Sequence, residues 1–152
     1  MTSIVTFNRL NHGWNAEPNS SESRVRTDGR TVFLDFALNH FLVPQFEEGQ
    51  RGRLEFTGCE RYRLGSTNDE GWYRGQCRFS TLTPSWGEFY EVAGDLQVLD
   101  APTDWTRLSA TSAGALRHFL FYLRDNTFEC VASELKIAAP ITDTNGNVVP
   151  LI

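Results

Sequence analysis

Three short polar-aromatic blocks hold most of the residues in this chain whose types and spacing could do chemistry. They are Gly13-Trp14-Asn15-Ala16-Glu17-Pro18-Asn19, Asn68-Asp69-Glu70-Gly71-Trp72-Tyr73-Arg74 and Trp86-Gly87-Glu88-Phe89-Tyr90-Glu91. Each sets a Trp beside carboxylates or amides. Trp and Tyr give large contact area at little entropic cost, while Asn and carboxylates orient what is held, so the blocks suit a binding surface. The candidate contact residues are Trp14, Asn15, Glu17, Asn68, Asp69, Glu70, Trp72, Tyr73, Trp86, Glu88 and Tyr90. The competing reading is structural: large aromatics are usually core material, and each Trp then closes the core beneath a turn built by its polar neighbours.

Glu17, Asp69, Glu70, Glu88 and Glu91 also admit a hydrolase reading. Glycosidases set one protonated and one ionised carboxyl across a scissile bond, and aromatic faces suit sugar rings. No other catalytic signature joins them: there is no GxxxxGK[ST] phosphate loop, no GxGxxG turn, no GxSxG elbow and no HExxH pair. His12, His40, His118, Cys59, Cys77 and Cys130 lack the close ligand pairs by which one turn presents two ligands to a metal ion. The cysteines therefore read as buried core thiols in strands, and neither metal nor cofactor is expected. Asp143-Thr144-Asn145-Gly146-Asn147 opens like a calcium loop, but Val148 stands where glycine is needed and the chain ends before the twelfth-position Glu. A plain Asn-Gly turn is the simpler reading.

Arg51, Arg53, Arg61, Arg63, Arg74 and Arg78 fall in one stretch and would suit an anion, yet Glu55, Glu60, Asp69 and Glu70 share it. Cross-strand ion pairs on a solvated face are the expectation. Lys136 is the single lysine among fourteen basic residues. Arg offers planar forks for carboxylates and rings, although a GC-rich genome would give the same skew. A net charge of −5 argues against nucleic acid and against anionic membranes as partners, because both need a favourable field. The first eleven residues carry no basic start followed by an apolar run, and no stretch reaches the length of a membrane span, so the cytoplasm is the expected address. Three cysteines are too few, and odd in number, for a disulfide-built secreted module.

The elements that must position these blocks read as short strands. Eleven Phe with four each of Trp and Tyr, in a chain that is 22% charged, favour pleated half-buried surfaces. The length of 152 residues suits one β-rich domain over 1–152, with 138–152 a terminal hairpin or tail. A first hairpin turns at Asp28-Gly29 and sets Val25 opposite Val32, after which Val32, Leu34, Phe36 and Leu38 alternate with Phe33, Asp35, Ala37 and Asn39. A second spans 53–79, with Cys59 opposite Cys77, Tyr62 opposite Arg74, and Gly58 marking a change of face. A third turns at Asp125-Asn126, pairing Leu123 with Phe128, Phe121 with Cys130 and Phe119 with Ala132. Its other face pairs Leu120 with Val131 and Tyr122 with Glu129, which marks a central pair covered on both sides. A helix over 112–123 is the competing assignment there. Further strands are expected at 4–7, 88–92 and 94–99.

The fold class that follows is all-β, an antiparallel sandwich or small barrel with little helix. The leading functional expectation is a noncatalytic binding protein that holds a protein partner, as an inhibitor or immunity-type factor does against a basic target. A domain binding a small polar molecule or carbohydrate on Trp72 or Trp86 is the first alternative. A hydrolase with paired carboxylates is the second.

Overall fold

The computed structural model describes residues 5–18, 22–65, 87–94, 105–108, 116–123 and 126–141, and all regular elements among them are strands. These are β1 (Thr6–Arg9), β2 (Arg24–Asp28), β3 (Thr31–Ala37), β4 (Arg51–Thr57), β5 (Arg61–Gly65), β6 (Phe89–Ala93), β7 (Thr106–Arg107), β8 (Arg117–Tyr122), β9 (Thr127–Ala132) and β10 (Glu134–Ala138). They form two antiparallel sheets, one of six strands in the order β1-β6-β8-β9-β5-β7 and one of four in the order β10-β4-β3-β2. The sheets pack face to face as an all-β sandwich, the arrangement that strand alternation predicts.

Alternation explains which side chains meet between the sheets. Val32, Leu34 and Phe36 of β3 and Leu54 and Phe56 of β4 are fully buried, as are Phe119 and Phe121 of β8 and Phe128 and Cys130 of β9. Ring centroids of Phe36 and Phe121, and of Phe56 and Phe119, lie 5.2 Å apart. Phe56 also meets Phe128 at 5.4 Å. Each buried Phe contributes roughly 1.5–3 kcal/mol by leaving water, so this ring cluster is the main cohesive element. The β8–β9 pair is central and buried on both faces, and the strand assignment prevails over a helix at 117–122.

The hairpin registers differ from expectation by two residues while the faces hold. Val25 lies opposite Leu34 and Thr27 opposite Val32, because the loop residues are Gly29 and Arg30 rather than Asp28 and Gly29. Gly29 takes the positive φ of 61° that the turn demands. In the third hairpin Phe121 faces Phe128, Phe119 faces Cys130, Leu120 faces Glu129, and Tyr122 faces Thr127. Moving a turn by one residue moves the pairing by two, and a period of two leaves every side chain on its face.

The second expected hairpin is corrected more deeply. β4 belongs to the four-stranded sheet and β5 to the six-stranded one, so the chain crosses between sheets at 58–60. Tyr62 lies opposite Cys130 on one side and Thr106 on the other, which excludes Arg74 as its ladder partner. Arg74 and Cys77, like 66–86 as a whole, lie outside the described residues. Gly58 does mark the change of face: Leu54, Phe56 and Cys59 are all buried although their parity differs. Gly58 has φ 63°, and a Cβ there would fall on Ser133 Oγ. Cys59 sits in this crossing rather than in a strand.

The arginine stretch is not a solvated face of one hairpin. Arg53 on β4 makes a two-point contact with the fully buried Asp35 of β3, at 2.7 and 2.8 Å. Arg63 on β5 reaches the fully buried Glu129 of β9 at 2.7 Å. Arg61 is itself buried, lies 3.5 Å from Glu60, and stacks over Trp105 at 4.9 Å. Alternation alone could not separate these partly enclosed pairs from an exposed ladder, because both show charges at every second position. The segment expected as a strand at 94–99 and the tail at 142–152 lie outside the described residues, apart from Gly94.

Candidate functional site

One end of the sandwich is closed by two stretches of irregular backbone, 10–18 and 39–50. The first is tied down at both ends: Leu10 N–H donates to Phe89 O at 2.9 Å, and Glu17 N–H to Ala37 O at 2.8 Å. Between them Ala16 bridges Leu38 and Asn39 N–H donates to Asn15 O at 3.0 Å. Asn11, almost wholly buried, is the clamp. Its Nδ2 donates to Trp14 O at 2.9 Å and to Glu88 Oε2, and its Oδ1 accepts Phe89 N–H at 3.1 Å. A buried amide that serves three groups fixes two blocks of sequence against one another.

The second stretch opens with an Asx-type turn. Asn39 Oδ1 accepts the N–H groups of Phe41 and Leu42, both at 3.1 Å, which replaces lost strand bonds and reverses the chain. Phe46 is buried and pins the far side of the loop, and Glu47 N–H donates to Gln50 Oε1 at 2.8 Å. Between these anchors Phe41 and Leu42 stand 64% and 68% exposed. The His40 ring lies 4.0 Å from that of Phe41. Apolar side chains displayed on a hydrogen-bonded loop bind at lower entropic cost than mobile ones.

Two clefts flank these stretches. The smaller, of about 160 Å³, is lined by Arg9, Asn11, Gly13, Trp14, Asn15, Leu42, Val43 and Glu88. Asn15 Oδ1, at its wall, is enclosed and has no hydrogen-bond partner within the protein. The larger, of about 350 Å³, is lined by Glu17, Glu22, Ala37, Leu38, His40, Glu48, Gly49 and Arg51. Arg51 Nη2 meets Glu22 at 3.2 Å, and the remaining carboxylates make this rim acidic.

Of the candidate contact residues, Trp14, Asn15, Glu17 and Glu88 are gathered at this end. Trp14 takes the core-closing role: it is buried and stacks on Phe36 at 5.5 Å, with Phe121 edge-on at 6.1 Å. Tyr90 does not join them. It is buried on the outer face of the six-stranded sheet, against Phe7 at 6.1 Å. Asn68, Asp69, Glu70, Trp72, Tyr73 and Trp86 lie outside the described residues. Glu91 is bound at two points by Arg117, at 2.7 and 3.0 Å, and that guanidinium holds its carboxyl below the ordinary value. A general acid needs the opposite shift.

Asn11, Phe41 and Leu42 were not among the residues singled out from sequence. Phe41-Leu42-Val43 continues the apolar strand before it and reads as its extension. The signal for a turn was Asn39 with Pro44, a pair that caps and then breaks a strand. Among the described residues no three His, Cys, Asp or Glu side chains converge as metal ligands, and no helix is long and apolar enough to cross a membrane. No family model, curated protein or solved structure matches the chain.

Proposed function

We propose that this chain is a noncatalytic protein-binding module, of the inhibitor or immunity type, which engages a basic partner through the end of the sandwich at 10–18 and 39–50. The observation that carries this reading is the display of Phe41 and Leu42 on a hydrogen-bonded loop, where every other Phe, Tyr or Trp ring among the described residues is buried or half-buried. Paired apolar anchors with a polar surround are the usual energetic centre of a protein interface. Glu17, Glu22, Glu47 and Glu48 supply that surround, and the net charge of −5 favours encounter with a cationic surface. The smaller cleft, at about 160 Å³, falls below the roughly 300–1,000 Å³ of small-molecule sites, so it is scaled to receive one partner side chain.

The test compares wild type with a variant carrying both Phe41→Ser and Leu42→Ser as bait in its own lysate, against a charge-matched control. Retention of a defined basic protein by wild type, at least tenfold weaker with the variant and weakened by salt, is the expected result. Equal retention by both forms would remove the reading. The larger cleft favours a second reading, a small cationic ligand held by Glu17, Glu22 and Glu48. A melting shift with arginine or a polyamine, lost in Glu48→Gln, would support it in place of the first.

A further inference from the structure

Cys59 and Cys130 are 71 positions apart in sequence and meet inside the sandwich, their Sγ atoms 3.4 Å apart. Both are fully buried and neither is in a disulfide. Cys59 lies in the crossing from one sheet to the other, with its N–H donated to Arg30 O at 2.7 Å. Its Sγ donates to Arg61 O at 3.3 Å. Cys130 faces inward from β9, opposite Phe119 and Tyr62. A disulfide needs the sulfurs about 2.05 Å apart, so closure asks for a little over 1 Å of approach.

We propose that Cys59 and Cys130 form an oxidisable pair that closes a disulfide across the sheet-to-sheet crossing when the protein meets a peroxide. Their complete burial selects a small oxidant over a bulky disulfide such as oxidised glutathione. The roles of the two thiols differ. The hydrogen bond with Cys130 lowers the Cys59 thiol below its ordinary value, against the opposing effect of desolvation, while burial pushes the Cys130 thiol well up. Cys59, in the irregular backbone of the crossing, takes the first attack, and Cys130, held within β9, is the resolving thiol.

The Cys59 sulfur attacks one peroxide oxygen, and the O–O bond breaks. Cys59 becomes a sulfenic acid, and the departing hydroxide takes up the proton lost by Cys59 to leave as water. The Cys130 sulfur then attacks the sulfenyl sulfur; the S–S bond forms, the S–O bond breaks, and the Cys130 proton leaves with the oxygen as a second water. Two thiols are oxidised and one peroxide is reduced.

The experiment exposes the full chain, and a Cys77→Ser variant of it, to hydrogen peroxide, quenches with an alkylating agent and maps the peptides by mass. A peptide joining Cys59 to Cys130 is expected in both proteins. With it the melting midpoint should rise by roughly 5 °C or more, reversibly with dithiothreitol. In Cys130→Ser, Cys59 should stop at the sulfenic acid and be trapped by dimedone. Thiols that stay free to alkylate, links that always include Cys77, or sulfinic and sulfonic acids without a link would each overturn the proposal. A link that leaves the melting midpoint unmoved would overturn the view that closure secures the crossing.

Discussion

The two faces of the β8–β9 pair at the centre of the six-stranded sheet are both buried, and by opposite means. On the inner face Phe119, Phe121, Phe128 and Cys130 pack against the rings of the other sheet, with no charge among them. On the outer face of the same two strands Glu129 is fully buried between Arg63, at 2.7 Å, and His118, at 2.8 Å, beside Leu120 and Tyr122. Packed rings tolerate loss by degrees, since each contact is small and neighbours relax into space. A buried carboxylate held by two cationic or polar partners does not, because removing one member leaves the others desolvated without compensation. Equal burial thus conceals unequal tolerance.

The largest effect that would expose this difference is expected from Glu129→Ala, which strips Arg63 and His118 of their shared acceptor. A loss of about 3–5 kcal/mol is expected, read as a lower urea midpoint with the slope unchanged. A loss under about 1 kcal/mol would show that the outer face is held by something other than this ion cluster. Phe128→Leu, directly behind it on the inner face, should cost about 1–2 kcal/mol. If the two substitutions proved equally costly, the contrast between the faces would fail.

A smaller effect concerns the half-exposed pair at the sheet's flank. Arg117 depresses the Glu91 carboxyl, so the unfolded chain binds a proton there more readily than the folded one. The pair's contribution is therefore complete above the unfolded value and is lost as pH falls through the folded one. Solvent screening keeps it below about 1 kcal/mol. An acid titration of stability should lose that increment in Glu91→Gln, and an identical profile in both proteins would count against the pair. The smallest effect is at the displayed loop: Leu42→Ser should leave stability within about 0.5 kcal/mol of wild type, measured by the same urea series. A larger loss would mean that Leu42 belongs to the core and is not available to a partner.

Much of the fold was legible because face depends only on parity. Val32, Leu34, Phe36, Phe119, Phe121 and Phe128 all point inward as the alternation dictates, even where the pairing partner was off by two. Register was not legible, since it turns on which neighbour of Gly29 enters the loop, and a glycine satisfies a two-residue turn from either position. The buried charges escaped because Arg53, Arg63, Asp35 and Glu129 have the same spacing whether their face is wet or enclosed. At the candidate site Trp14, Asn15, Glu17 and Glu88 could be picked out by type, but their clamp, Asn11, stands 77 positions from Glu88. The exposed Phe41 and Leu42 were hidden by their own hydrophobicity.

The chain passes between the sheets twice at one corner, at 58–60 and again at Ser133, whose N–H and Oγ both bond Thr57 O, at 3.1 and 3.0 Å. The molecule is thus bound like a book, with this corner as its spine and the loop bearing Phe41 at its fore-edge. Fluctuations that part the covers should begin where Phe41 and Leu42 stand and die out toward the spine. Amide hydrogens near Cys59 and Val131 should accordingly be the last to exchange with solvent, and those at the fore-edge the first.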